Sequence, residues 1–353
     1  MLRALTLVLT LASAAQAAPR DIYGFNFPMW WNDSYGTALA ERGFQDIAAT
    51  GAGWVALTPT YYVEDDHDSN VVSTPATPTD ASLRTAIRRA RAAGLSVVMK
   101  PHVDKTVGGA RATLNPRNRA KWFATYRAHV LRLARLSQEE GCSMFVVGTE
   151  LSLLTLPGDW DDWRSLIRET RAVYGGPVTY AANWHSVGHV GFWRDLDYIG
   201  VDAYYPAVGG TNITLLKASL AVASAELFSL SKLYGRPVLF TEFGLASQKG
   251  ANLKPWAWWD FAEADPATQD AYIEALLQSF AGRTWVAGFL HWAWDPDPSR
   301  AGPADKSMSI KGKPALDSFR SRFPRPTAGP AASSDHAEAL LRAATVLSRP
   351  VWQ

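Results

Sequence analysis

Two glutamates in this chain each close a short apolar run. Glu150 ends Met144-Phe145-Val146-Val147-Gly148-Thr149-Glu150, and Glu242 ends Val238-Leu239-Phe240-Thr241-Glu242 before Phe243-Gly244. Two carboxyl groups that face one carbon atom can divide a displacement between them. One protonates the leaving oxygen and later activates water; the other attacks the carbon. Displacement with retained configuration needs the two carboxyls about 5–5.5 Å apart. Taken singly, either glutamate reads equally well as half of a structural ion pair. As a pair at the ends of two strands, they read as a catalytic pair.

The elements that must position them recur eight times as strand followed by helix. Strand-like runs fall at Ile22 to Phe27, Trp54 to Thr58, Ser96 to His102, Met144 to Glu150, Val178 to Asn183, Tyr198 to Tyr204, Val238 to Glu242 and Gly288 to Trp294. Such near-continuous apolar runs suit parallel strands covered on both faces. Helical patterns follow at Asp80 to Ala90, Asn118 to Glu140, Trp160 to Tyr174, Thr214 to Tyr234, Pro266 to Phe280 and Pro314 to Arg322. Only the short Phe192 to Leu196 is available after the fifth strand. Gly94, Gly141, Gly235 and Gly282 stand as stop signals. The expected fold class is α/β: a single (β/α)8 TIM barrel with a short C-terminal tail. An open doubly wound sheet is the main competitor. The first strand lacks the Gly-x-Gly-x-x-Gly turn of its dinucleotide-binding form.

In such a barrel the site gathers at the C-terminal strand ends. Those ends supply Asn26, Trp30 and Trp31; Thr58, Tyr61 and Tyr62; Lys100, His102 and Asp104; Glu150; Asn183, Trp184 and His185; Asp202, Tyr204 and Tyr205; Glu242; and His291, Trp292 and Trp294. Aromatic faces stack on the C–H faces of sugar rings, while amides and carboxylates bind hydroxyls. The rim therefore reads as a carbohydrate cleft. Candidate substrate-binding residues are Trp30, Lys100, His102, Asn183, Trp184, Asp202, Tyr204, Trp292 and Trp294. Lys100, His102 and Asp104 alternate on one face, to bind hydroxyls or to hold Glu150. One of Trp292 and Trp294, which alternation puts on a shared face, is expected to floor the central subsite. Strand alternation points Tyr204 and Tyr205 opposite ways. Trp256, Trp258 and Trp259 suggest a cleft wall, and burial under the helices would explain them as well. Trp122, Trp163 and Trp193 read as helix packing. The acidic run Glu64 to Asp68 lacks the spacing of an EF-hand loop and reads as a solvated loop.

Val147-Gly148-Thr149-Glu150-Leu151-Ser152, Gly200-Val201-Asp202-Ala203-Tyr204-Tyr205-Pro206 and Thr241-Glu242-Phe243-Gly244 resemble clan A glycoside hydrolases, and most closely glycoside hydrolase family 113. The likeness runs from Asp21 to Arg322 in element order. It implies a TIM barrel acting on β-linked sugars, with β-1,4-mannan as leading substrate. It implies Glu150 as acid/base and Glu242 as nucleophile. Many clan members carry Asn before the acid/base, whereas Thr149 stands here.

Composition bounds the rest. The net charge of +2 arises from 35 basic and 33 acidic residues and gives no reason to expect nucleic acid. Cys142 is the single cysteine, so no internal disulfide can form. Arg3, an apolar Leu5 to Leu11 and Ala15-Gln16-Ala17 read as a signal peptide over residues 1–17. The expected product is secreted, periplasmic or extracellular, with a barrel over 18–325 and a linker and tail over 326–353. The expectation is a monomer acting on a β-linked polysaccharide or oligosaccharide, without cofactor, metal, nucleic acid or, once the signal is removed, membrane. The rivals are a non-catalytic carbohydrate-binding barrel, a metal-dependent hydrolase using His102, His185 and Asp202, and a transglycosylase.

Overall fold

The computed structural model describes residues 19–257 and 262–324. The expected signal segment 1–17, the linker and tail 326–353, and Trp258 and Trp259 lie outside the described residues. The main compact unit ends at Arg322.

Ten strands are found among the described residues: β1 (Ile22–Phe27), β2 (Trp54–Leu57), β3 (Thr60–Val63), β4 (Ser96–Met99), β5 (His102–Lys105), β6 (Met144–Thr149), β7 (Val178–Asn183), β8 (Ile199–Asp202), β9 (Val238–Phe243) and β10 (Val286–His291). All but β3 and β5 join into a closed parallel barrel in the order β1-β10-β9-β8-β7-β6-β4-β2. Ile22, Ala56, Val98, Met144, Val146, Ala181, Tyr198, Leu239, Ala287 and Leu290 pack together from seven of its strands and the approach to β8, as a buried core. Burial on both faces explains why these segments lack alternating polarity. The fold is thus a (β/α)8 barrel.

The second and third strand runs are shorter in the barrel than their sequences suggest. Pro59 follows β2 and Pro101 follows β4, and neither has an N–H for the ladder. The chain resumes beyond each proline as β3 and β5. These two pair with one another, Thr60 opposite His102 and Val63 opposite Lys105. This small parallel sheet carries the loops above one side of the barrel mouth. The last strand begins earlier than expected, at Val286, and ends at His291. The sixth ends at Asp202, so Tyr204 and Trp294 lie in loops and strand alternation does not govern them.

Seven α-helices lie among the described residues: α1 (Ala38–Ala49), α2 (Asp80–Ala92), α3 (Arg119–Glu140), α4 (Trp160–Val173), α5 (Ile213–Tyr234), α6 (Pro266–Phe280) and α7 (Pro314–Arg320). Five of them, α1, α2, α3, α5 and α6, start at a side-chain cap. Thr79 accepts from Ser82 N–H at 3.2 Å, Asn118 from Lys121 N–H at 2.9 Å, and Asp265 from Thr268 N–H at 3.0 Å. Gly141 ends α3 with a φ of 71°, a left-handed conformation that side chains disfavour. The helix α1, absent from the sequence patterns above, is capped by Thr37. After β7 the expected weak helix is replaced by two short 3-10 turns, Val187–His189 and Trp193–Asp195.

Gly200 on β8 marks a point where strand backbones approach closely. A methyl group there would lie 2.1 Å from the Tyr180 carbonyl oxygen of β7, a contact no rotamer can relieve. Gly200→Ala is expected to cost about 1–3 kcal/mol or more of stability. Urea unfolding of the two proteins measures it, and an unchanged midpoint would refute the packing argument.

Candidate active site

Glu242 lies at the end of β9 with 3% of its surface exposed. Its Oε1 contacts the Lys100 ammonium. Its Oε2 accepts a hydrogen bond from the Tyr204 hydroxyl at 2.6 Å. His102 Nε2 stands 3.7 Å from Oε1. Lys100 also reaches Asp202 Oδ2 at 3.4 Å, and Asp202 Oδ1 accepts from Thr241 Oγ1 at 2.7 Å. Two buried carboxyls thus share one ammonium. Burial, and then the Glu242 charge, push the Asp202 carboxyl well above the ordinary carboxylate range. The same two causes push the Tyr204 phenol up, so it remains a donor. Burial drives His102 well below the usual imidazole value, helped by the Arg111 and Lys100 charges, and its ring is neutral at pH 7. That ring lies near-parallel to Trp292, centroids 5.6 Å apart.

Glu150 follows β6 with a φ of 54°, in the left-handed region that non-glycine residues rarely occupy. Such backbones cost of order 1–3 kcal/mol and concentrate at functional sites. Its N–H donates to the Ala181 carbonyl at 2.8 Å, which ties the turn to β7. Asn183 Nδ2 donates to Oε1 at 3.1 Å, and Arg111 Nη1 to Oε2 at 3.3 Å. Burial, and then the nearby Glu242 charge, push the Glu150 carboxyl up to about 7, against the opposing pull of Arg111 and Lys100. Asn183, Asp202 and Glu242 are register partners across β7, β8 and β9. The rim from Glu150 to Glu242 is therefore continuous.

Trp292 is half-buried against a cluster that includes Tyr204, Met308 and Trp184. Trp184 stacks on Trp256, centroids 5.8 Å apart and planes 21° apart. On the other side, Trp30 (47% exposed), Trp292, Asp104 and Arg111 line a groove of about 1010 Å3.

Three of the residues expected to bind substrate serve differently in this structure. Lys100 and Asp202 have no exposed surface; each holds Glu242 in place, directly or through the shared ammonium, and neither faces the cleft. Trp294 borders the groove but is 3% exposed. It packs edge-on against Phe25 with the Lys311 ammonium over its ring, so it belongs to the wall. The expected triplet Lys100, His102 and Asp104 divides in the same way: the first two face Glu242, and Asp104 turns to Arg111. Arg111 had no sequence signal. It sits in the irregular stretch Gly108-Gly109-Ala110-Arg111, and only the fold brings it beside Asp104 and Glu150. Among the described residues no group of three or more His, Cys, Asp or Glu is placed to hold a metal ion, so His102, His185 and Asp202 do not form such a set.

The profile of glycoside hydrolase family 113 matches residues 23–313. Among solved structures, the chain is similar to the family 113 β-mannanase AaManA of Alicyclobacillus acidocaldarius, with 27% identity, TM-score 0.79, and coverage of 88% of this chain and 99% of that one. A second family 113 β-1,4-mannanase structure matches with 26% identity, TM-score 0.79, and coverage of 86% and 99%. A Streptomyces cattleya protein of the group GH5_18, with 16% identity, TM-score 0.60 and coverage of 89% and 82%, shares the fold. No curated protein matches at a significant level. With the family profile covering the barrel from β1 to the residue before α7, the chain belongs to glycoside hydrolase family 113 and is an enzyme that hydrolyses a carbohydrate.

Proposed function

We propose that this enzyme cleaves β-1,4-linked mannan or its oligosaccharides with retention of configuration. Glu242 is the nucleophile and Glu150 the acid/base. The observation that carries the reading is the opposite treatment of two glutamates at one barrel mouth. Glu150 is pushed up to about 7, which keeps a proton available near neutrality. Glu242 is met by an ammonium at one oxygen and a phenol O–H at the other.

In the first step a Glu242 oxygen bonds the anomeric carbon. The bond to the leaving oxygen breaks, and that oxygen takes the Glu150 proton. In the second step the Glu150 carboxylate removes a proton from water. The water oxygen bonds the anomeric carbon, and Glu242 leaves as carboxylate. Lys100 need not be left unpaired while Glu242 is an uncharged ester, because Asp202 remains at 3.4 Å. Trp292, half-buried beside His102, would floor the central sugar. Trp30 and Trp184 lie farther out on opposite sides. Mannan as substrate is supported by the likeness to the β-1,4-mannanases, and export from the cytoplasm by the composition of residues 1–17.

Glu150→Ala is expected to lower kcat/KM on mannan about 10²–10⁴-fold, the usual worth of a positioned acid. An aryl mannoside with a good leaving group should lose far less at bond cleavage, since its leaving oxygen needs no proton. With azide present, Glu150→Ala should yield a β-glycosyl azide and Glu242→Ala an α-glycosyl azide. Identical anomers from both variants would refute the assignment.

The pH dependence follows from the same groups. Glu150 must be protonated, so kcat/KM should fall as pH rises above about 7. Stability has a linked sign. The folded carboxyl binds its proton more tightly than the unfolded one, whose value is about 4.3. The wild type therefore loses stability as pH rises from about 4.3 to 7 and levels off above that. In Glu150→Gln this component should vanish, read as a smaller fall of Tm between pH 5 and pH 8. Parallel Tm curves would contradict the raised value.

Reducing-end release from β-mannan, β-glucan, xylan and chitin oligomers tests the substrate. Preference for any but mannan would overturn that part.

A further inference from the structure

Arg111 is unexplained by the two-glutamate mechanism. It is a cation with 15% of its side chain exposed, beside a carboxyl that must donate a proton, in a site for an uncharged sugar. A guanidinium there opposes the protonated form of Glu150, so its presence needs a reason.

The chain spends several interactions on placing it. Lys105 Nζ, at the end of β5, donates to Asp66 at 2.9 Å and to Thr113 Oγ1 at 3.1 Å. Thr113 Oγ1 also lies 2.6 Å from Asp66 Oδ1. The Asn115 and Arg117 N–H groups donate to the Asp66 and His67 carbonyls at 2.7 and 3.1 Å. The turn Arg111–Thr113 is thereby fastened to the loop after β3. From that turn, Arg111 sends Nε and Nη2 to one oxygen of Asp104, at 2.9 and 2.8 Å, and Nη1 to Glu150 Oε2 at 3.3 Å. Asn183 holds the other oxygen of Glu150 from the opposite side. The carboxyl plane is pinned at both oxygens by groups from separate elements.

We propose that Arg111, clamped by Asp104, is a positioning residue for the acid/base: it fixes the direction of the Glu150 carboxyl and sets the alkaline limit of the reaction. The proposal rests on the reading of Glu150 as the acid/base.

Several other groups act on Glu150. Glu242 on β9 and Asp202 on β8 are carboxyls, and Lys100 after β4 is a cation. Tyr180 on β7 and Tyr204 after β8 are phenols, and His102 on β5 is a neutral imidazole near Glu242. Lys100 is committed to Glu242 and Asp202. Among the described residues, Arg111 is the cation in hydrogen-bonding contact with Glu150, and Asp104 is the carboxylate that governs it. An opposite charge at this range lowers a carboxyl by about 1–3 units.

The two partners carry opposite signs, which makes the test specific. In Arg111→Met, Glu150 loses its counter-charge and keeps its proton to higher pH. The alkaline limb of kcat/KM on mannan should move up by about one pH unit. In Asp104→Asn, the Arg111 charge acts on Glu150 undivided, and the limb should move down. Arg111→Lys keeps the charge without the fork, so its limb should stay near that of the wild type while kcat falls.

Where Arg111→Met is too slow to assay, the Glu150-linked fall of Tm with pH reads the same shift without turnover. Limbs unmoved in both variants, or moved the same way in both, would overturn the proposal, as would an Arg111→Lys limb that follows Arg111→Met. A loss of kcat with unmoved limbs would leave Arg111 a structural role alone. The underlying reading fails separately: the wild-type alkaline limb would then survive in Glu150→Gln.

Discussion

The site depends on one buried ammonium. Lys100 lies between Glu242 and Asp202 with no surface of its own in water. Two carboxyls placed this close in a dry pocket repel each other, and burial penalises each charge separately. At an effective dielectric of about 20, a unit charge about 4 Å away is worth about 4 kcal/mol. The ammonium, and the Tyr204 hydroxyl opposite it, both meet Glu242. Asp202 is left with the Thr241 hydroxyl and a longer contact to Lys100. Removing one partner of such a buried set costs about 3–5 kcal/mol, because the others are left uncompensated. The barrel mouth is thus held by the groups that contact Glu242.

The backbone around Lys100 explains how a lysine comes to be there. Pro101 ends β4 directly after it, and Pro59 ends β2 at the neighbouring position. The chain then re-forms as β3 and β5 outside the barrel. The Lys100 N–H still bonds to the Leu57 carbonyl at 2.8 Å, so the residue keeps its place in the wall while the chain beyond departs. The departure puts His102 against Trp292 and carries Asp104 toward Arg111. A pair of prolines therefore separates two tasks: the barrel proper holds Glu242, and the outer sheet holds the loops that reach Glu150.

Much of this was legible in the sequence. Apolar runs showed the barrel because its strands are buried on both faces, and caps such as Asn118 and Gly141 gave helix ends. Strand ends define the mouth of a barrel, which singled out Glu150 and Glu242, and the structure puts them at the ends of β6 and β9. Trp122, Trp163 and Trp193 were read as packing and are fully buried. Burial was harder to read. Counting along strands put Lys100, Asp202 and Trp294 at the cleft, but depth is a third coordinate that periodicity does not carry. Lys100 and Asp202 have no exposed surface, although Asp202 shares the register of Asn183 and Glu242. Trp294 lies beyond the end of β10, where the rule of alternation stops. Arg111 was invisible for a different reason: its partners are 7 and 39 residues away and come from different elements.

The two glutamates show how little of their chemistry resides in their own local sequence. Each is preceded by threonine and an apolar strand, and each is largely out of water. Equal burial would raise both. What separates them is the set of groups delivered by other parts of the chain: an ammonium and a phenol to Glu242, an amide and a shared guanidinium to Glu150. The guanidinium that reaches Glu150 is already divided with Asp104, so it orients the carboxyl more than it ionises it. The left-handed backbone at Glu150, with a φ of 54°, likewise belongs to a turn that another strand ties down, through the Ala181 carbonyl of β7. The difference is therefore a property of where the cations lie: a fully buried ammonium beside Glu242, and a guanidinium shared with Asp104 beside Glu150.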